Sequence, residues 1–119
     1  MFFEKGIKTK VCVNEPVIQI YVVCNKKIIG KIICIIDEEL KTITISDIEC
    51  KKNNRGYGSV MMKELIEYSR QNEVAHINGW LSKADYGHKD RLYHFYQKFG
   101  FKIIQNEEGI KFADIKLDL

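Results

Sequence analysis

A chain of 119 residues, 45% apolar and 29% charged, with one Pro and eight Gly, is long enough to bury one core and too short for two, so a single domain spanning 1–119 is expected. No run approaches the roughly 18 uninterrupted apolar residues of a membrane span, and Met1-Phe2-Phe3-Glu4-Lys5 lacks the basic-then-apolar order of a signal peptide, which points to a cytoplasmic protein without a membrane partner. The net charge of +3 is too slight to argue for nucleic acid, and all of it falls in residues 51–119, where Lys51, Lys52 and Arg55 cluster.

From the start to Cys50 the chain has strand character. Ile7 to Val13, Val17 to Cys24, Lys27 to Ile36 and Leu40 to Cys50 are rich in Ile, Val, Thr and Tyr, and their connections are short enough for antiparallel hairpins. The third run is apolar at both parities, as expected of an interior strand covered on both faces. From Tyr57 to about Asn72 the spacing of Met61, Met62, Leu65, Ile66 and Tyr68 predicts a helix. A strand follows at Val74 to Leu81. A second helix, His88 to Phe99, carries Leu92, Phe95, Tyr96 and Phe99 on one buried stripe and ends at Gly100. Strands Phe101 to Ile104 and Ile110 to Leu117 flank a turn at Asn106-Glu107-Glu108-Gly109. The fold class is therefore α/β (α+β): a mixed, mostly antiparallel sheet of about seven strands with two main helices.

Four cysteines, Cys12, Cys24, Cys34 and Cys50, form no Cys-x-x-Cys pair and have only three His to help ligate a metal. They read as reduced, buried apolar residues, and no metal is expected.

Along the fourth strand the apolar side chains fall at Ile43 and Ile45, then at Ile48 and Cys50. Because side chains alternate strictly across a sheet, this change of parity marks a bulge near Ser46-Asp47, a strand that ends near Ser46, or a strand buried on both faces. A bulge would free backbone groups for a ligand. The segment Asn53-Asn54-Arg55-Gly56-Tyr57-Gly58-Ser59 then joins this strand to the first helix. A strand, a glycine turn and a helix N-terminus can cradle a phosphate, because first-turn N–H groups point outward and the helix dipole adds partial positive charge. There is no Gly-x-x-x-x-Gly-Lys-Ser/Thr loop, and Gly-x-Gly-x-x-Gly would need glycine where Met61 stands, so ATP and dinucleotides fall in rank.

Ile48 through Gly58, the helix after it, and Phe95-Tyr96-Gln97-Lys98-Phe99-Gly100-Phe101 together resemble the GNAT N-acetyltransferase superfamily. That family has Arg/Gln-x-x-Gly-x-Gly/Ala after a bulged strand and a later Tyr-x-x-x-Gly-Phe segment. The resemblance covers residues 40 to 105. Asn53 stands at the family's Arg/Gln position, with Arg55 or Lys52 available to compensate, and Lys89 stands where many members have Asn. The family opens with a strand and two helices that wall the acceptor site, whereas the first 40 residues here read as strands throughout. The acceptor groove would then be open, or completed by a second subunit in a homodimer.

The resemblance implies an N-acetyltransferase that uses acetyl-CoA to acetylate a primary amine of a small molecule or protein. Pantetheine would bond to backbone at Ile48, Glu49 and Cys50, and the pyrophosphate would rest on the loop Asn53, Asn54, Arg55, Gly56, Tyr57, Gly58 and Ser59. Tyr96 would be the catalytic acid for the departing thiolate. Asp47, Glu49, His76 or water could take the proton of the amine, and Trp80 either lines an acceptor pocket or packs in the core. The alternative is a non-catalytic module on the same fold that senses acyl-CoA or contacts RNA through Lys51, Lys52 and Arg55.

Overall fold

A computed structural model describes residues 6–50 and 56–119. Seven strands form one sheet: β1 (Ile7–Asn14), β2 (Val17–Cys24), β3 (Lys27–Asp37), β4 (Thr42–Cys50), β5 (His76–Ser82), β6 (Lys102–Glu108) and β7 (Lys111–Asp118), in the spatial order β1-β2-β3-β4-β5-β7-β6. Helix α1 (Tyr57–Gln71) joins β4 to β5, and α2 (Lys89–Lys98) lies between β5 and β6. Every pairing is antiparallel except β4 with β5. The mixed, mostly antiparallel sheet with two long helices is thus the architecture expected from the sequence.

Periodicity explains the layers. On β2 and β3 the even-numbered Ile18, Ile20, Val22, Ile32 and Cys34 are fully buried, and on β4 Ile43 and Ile45 continue that face. Helix α1 lays Tyr57, Met61, Met62, Leu65 and Ile66 onto it. Across the sheet the same face continues through Ile77, Leu81, Ala113, Ile115 and Leu117, and Tyr96 of α2 joins this core. Each fully buried Ile or Leu contributes roughly 1.5–3 kcal/mol.

Three expectations need correction. β3 is covered on one face only: Ile28 is 49% exposed and Ile35 39% exposed. Its doubly apolar pattern reflects an interior strand flanked on both sides, not a strand between two layers. β6 runs on through Glu108, with its pairing to β7 shifting between Gln105 and Glu108, so the tight turn lies at Gly109-Ile110 instead of Asn106–Gly109. Lys83–His88, left without an element in the sequence, forms a short 3-10 helix started by the Ser82 hydroxyl, which accepts from the Ala84 N–H at 3.2 Å.

Candidate active site

The register of β4 accounts for the site. Asp47 pairs with Ile33 and Ile45 with Cys34, so Ser46 is an extra residue with no partner on β3. This is the bulge that the parity change marks. On the other side, β4 and β5 pair only at Thr42–His76, Ile43–Ile77 and Thr44–Asn78, and part from there on. Bending β4 away from β5 opens a groove of about 860 Å³ between them.

The groove passes through the sheet. Ile45, Gly79, Leu81 and Ile115 line it from the helix side, whereas Asp47, Trp80 and Ser82 belong to the opposite face by strand alternation. Its helix-side mouth is closed by the start of α1 and by Leu92, Phe95, Tyr96 and Lys98 of α2.

Helix α1 begins without a side-chain cap and with no acidic residue in its first turn. Its N-cap Gly56 has φ 77°, a left-handed conformation that costs an L-residue about 1 kcal/mol or more, and a Cβ there would meet nothing, so glycine serves the backbone turn. At Gly58 a Cβ would stand 3.4 Å from the Phe95 ring, so a larger side chain has to displace that ring. The start of α1 thus brings neither a capping side chain nor an acid to the groove that Gly56, Tyr57, Gly58 and Ser59 line. Lys98 brings further positive charge: its Nζ donates to Ser59 Oγ at 2.7 Å and sits 5.3 Å from the ring centroids of both Phe95 and Phe99. An anion at this place would meet a helix N-terminus and an ammonium together.

Tyr96 is 7% exposed, lines the groove, and packs edge-on against Phe95 and Phe101. Burial, reinforced by the Asp85 carboxylate, pushes its phenol up to about 12, so it stays protonated at neutral pH.

Of the expected site residues, Ile48, Cys50, Gly56, Tyr57, Gly58, Ser59 and Tyr96 all line the groove. Tyr57 is 2% exposed, so its ring is core and only its backbone is offered to a ligand. Glu49 does not line the groove; its carboxylate lies on the other face, 3.6 Å from Lys31 Nζ. Asn53, Asn54 and Arg55, with Lys51 and Lys52, lie outside the described residues. Among the three side chains considered as base, only Asp47 is in the groove. His76 sits where β4 and β5 are still paired, its Nδ1 2.7 Å from Asp118 Oδ1. Trp80 is 43% exposed and lines the groove, so it is not a core residue. Lys89 lies away from the groove, over the rings of Tyr86 and Tyr93.

Sequence reading missed the outer rim: Asp85 and His88 from the 3-10 helix, and Arg91, His94 and Lys98 from α2. A signal was present, because Arg91, His94 and Lys98 recur at intervals of three and four beside the aromatic stripe.

A bulged strand splayed from its parallel neighbour, with an uncapped helix start and a buried phenol lining the groove, is the arrangement that the resemblance to GNAT acetyltransferases implies. Comparison with known proteins agrees. The acetyltransferase (GNAT) family matches residues 6–101, and the chain belongs to that family. It is 36% identical over 77 residues to the uncharacterized protein YocC of Bacillus subtilis (strain 168), a match covering 61% of this chain and 46% of YocC; the chain thus spans about half the length of that relative. Among solved structures, an acetyltransferase from Bacillus subtilis in complex with CoA superposes with a TM-score of 0.73 at 14% identity, over 95% of this chain and 99% of that one. A GNAT family acetyltransferase from Elizabethkingia anophelis with acetyl-CoA bound gives 0.72 at 18% identity, over 98% and 100%. The ribosomal-protein-S18-alanine N-acetyltransferase from Escherichia coli gives 0.72 at 16% identity, over 89% and 71%. At these identities the structural likeness speaks for the fold.

Proposed function

We propose that the protein is an acetyl-CoA-dependent N-acetyltransferase acting on a primary amine. The observation that carries this reading is the groove itself. One mouth ends on the uncapped start of α1 beside Lys98, and the other opens on the far face of the sheet at Asp47 and Trp80, with Tyr96 in the wall. A donor with a diphosphate at one end and a reactive thioester at the other fits such a passage, its charge against α1 and its acyl group turned toward the second mouth.

The amine nitrogen attacks the thioester carbonyl carbon, the C–S bond breaks, nitrogen gives up a proton and the thiolate takes one. An alkyl amine has a pKa of about 10.4, so it must lose a proton before attack. Asp47 or a water beside it accepts that proton at the second mouth. Tyr96, protonated throughout the physiological range, donates its O–H toward the thiolate. A thiol has a pKa near 8.5, so a phenol at about 12 does not surrender its proton permanently and is restored from solvent, which receives in turn the proton that the amine nitrogen loses as the amide forms.

The test pairs two measurements on the same protein. Acetyl-CoA should raise the melting temperature, and a mixed panel of amines should release free thiol from it. Stabilisation without thiol release would favour an acyl-CoA sensor, and the absence of both would remove the reading.

A further inference from the structure

The β4–β5 ladder ends at the pair Thr44–Asn78, so Asn78 stands at the closed end of the groove, next to the lining residue Gly79. From the helix side this end is sealed by apolar groups: a Cβ on Gly79 would stand 3.2 Å from the Ile115 side chain and 3.6 Å from Ile45 Cβ. Strand alternation puts Asn78 on the opposite face with Trp80 and Ser82, about 7 Å from Trp80 along β5. That is the face on which the second mouth opens at Asp47 and Trp80.

The Asn78 carboxamide is poorly satisfied there. Its Oδ1 is buried and has no hydrogen-bond partner among the described residues. Buried carbonyl oxygens are nearly always paired, because one withdrawn from water without a donor keeps the cost of desolvation and gains nothing in return. Its polar neighbours are engaged elsewhere. Lys116, the cross-strand neighbour on β7, has its Nζ 3.8 Å from Asp118 Oδ1, and His76, two residues earlier on the same face, has its Nδ1 2.7 Å from that oxygen. A half-turn about the last side-chain bond exchanges the oxygen and nitrogen ends of the amide with little change of shape, so the oxygen can answer a donor that arrives through the groove.

We infer that Asn78 selects the acceptor: its carboxamide oxygen accepts an N–H of the attacking amine, and so demands a primary one. This role rests on the proposed acetyl transfer. A neutral primary amine carries a lone pair and two N–H bonds. The lone pair forms the C–N bond as the C–S bond breaks, and one N–H gives its proton to Asp47 or to water beside it. The second N–H is kept, passing from amine to amide while bonded to Asn78. A secondary amine has a single N–H, which the reaction must remove, so its nitrogen leaves Asn78 without a donor as the amide forms. A site that hydrogen-bonds a substrate N–H rejects the analogue lacking it far more strongly than an apolar pocket rejects an added methylene. Trp80 and Asp47 draw no such distinction, since an indole face and a carboxylate attract primary and secondary ammonium alike.

The experiment measures thiol release from acetyl-CoA with n-butylamine, 2-phenylethylamine and Nα-acetyllysine amide, each beside the derivative methylated on its reacting nitrogen, together with calorimetric binding of these amines to the protein's CoA complex. In the wild type kcat/KM should favour the primary member of each pair by about fiftyfold or more. Asn78→Leu keeps the branched shape without the acceptor. It should lower kcat/KM for primary amines by about 10- to 100-fold, narrow the preference to within about fivefold and leave the KM for acetyl-CoA unchanged. Asn78→Asp, which retains an acceptor oxygen, should keep most of the preference. A wild type that treats both members alike, or an Asn78→Leu variant that loses activity toward both equally, would overturn the inference with acetyl transfer intact. If no amine releases thiol, binding decides. Primary amines held about tenfold more weakly by Asn78→Leu would keep Asn78 as an amine ligand and remove the acetyl-transfer reading, whereas equal binding, or none, would remove both.

Discussion

The two halves of the sheet are built alike and joined differently. β1 to β4 form a meander paired along nearly its whole length, and β5, β7 and β6 are likewise antiparallel over most of theirs. Between these two rigid blocks lie three parallel pairs, Thr42–His76 to Thr44–Asn78, after which the ladder stops. The candidate active site occupies the place where pairing is withheld, and the strands on either side of it are paired over most of their length. Backbone hydrogen bonds make each block stiff; the missing ones make the groove.

Removing Ser46 should close this difference and so have the largest effect. Without that residue, Ile45, Asp47, Ile48, Glu49 and Cys50 keep the faces they have now, but β4 becomes a regular strand with no unpaired residue. The deletion variant should fold with a melting temperature near that of the parent, yet lose acetyl-CoA binding by about a hundredfold or more in calorimetry, several kcal/mol of lost contacts. Retained affinity would show that the bulge is not what opens the groove.

Tyr96→Phe comes next. Phenylalanine keeps the edge-on packing with Phe95 and Phe101 and removes only the hydroxyl. Turnover should fall by roughly 100-fold with acetyl-CoA affinity near wild type, the low end of the usual scale for losing a general acid. Unchanged turnover would take Tyr96 out of the chemistry and leave it as packing. A smaller effect is expected from Lys98→Ala, which removes the ammonium bonded to Ser59 at the start of α1. The KM for acetyl-CoA should rise about five- to tenfold with kcat little changed, and the difference should shrink at high salt. If kcat falls instead and KM holds, Lys98 acts on the transition state and not on the anion.

Much of this was legible because it follows from local rules. The parity change from Ile43 and Ile45 to Ile48 and Cys50 located the bulge within one residue, since alternation is strict. The two residues between the runs Val17 to Cys24 and Lys27 to Ile36 allow only a tight hairpin, and Asn25 and Lys26 adopt the positive φ values, 51° and 66°, that such a two-residue turn demands. What strand composition could not disclose was the layer on the far side of β3. Ile33 and Ile35 look the same in sequence whether a helix, a second copy or water covers them. The rim was missed for a related reason. Lys83–His88 is too short for a helical period to emerge, so Asp85 and His88 were not placed beside Tyr96 until the fold brought β5 and α2 together.

The smallest effect tests how firmly Tyr96 is held inside the block it belongs to. Burial raises its phenol from 10.0 to about 12, and burial alone raises the Cys34 thiol from 9.0 to about 12. Both groups are neutral when protonated, so the unfolded chain gives up these protons first as pH rises. Stability is fully present below pH 9 and is lost progressively between pH 9 and 12, with the tyrosine's share falling between 10 and 12. Urea midpoints should therefore drop across this window in the wild type. In Tyr96→Phe they should drop less above pH 10, because the largest phenol contribution is gone while the Cys34 thiol and the Tyr68 phenol, also pushed up by burial, remain to titrate. Identical slopes for the two proteins would mean that the phenol reaches water in the folded state, and the wall of the groove at Tyr96 would then be open, not closed.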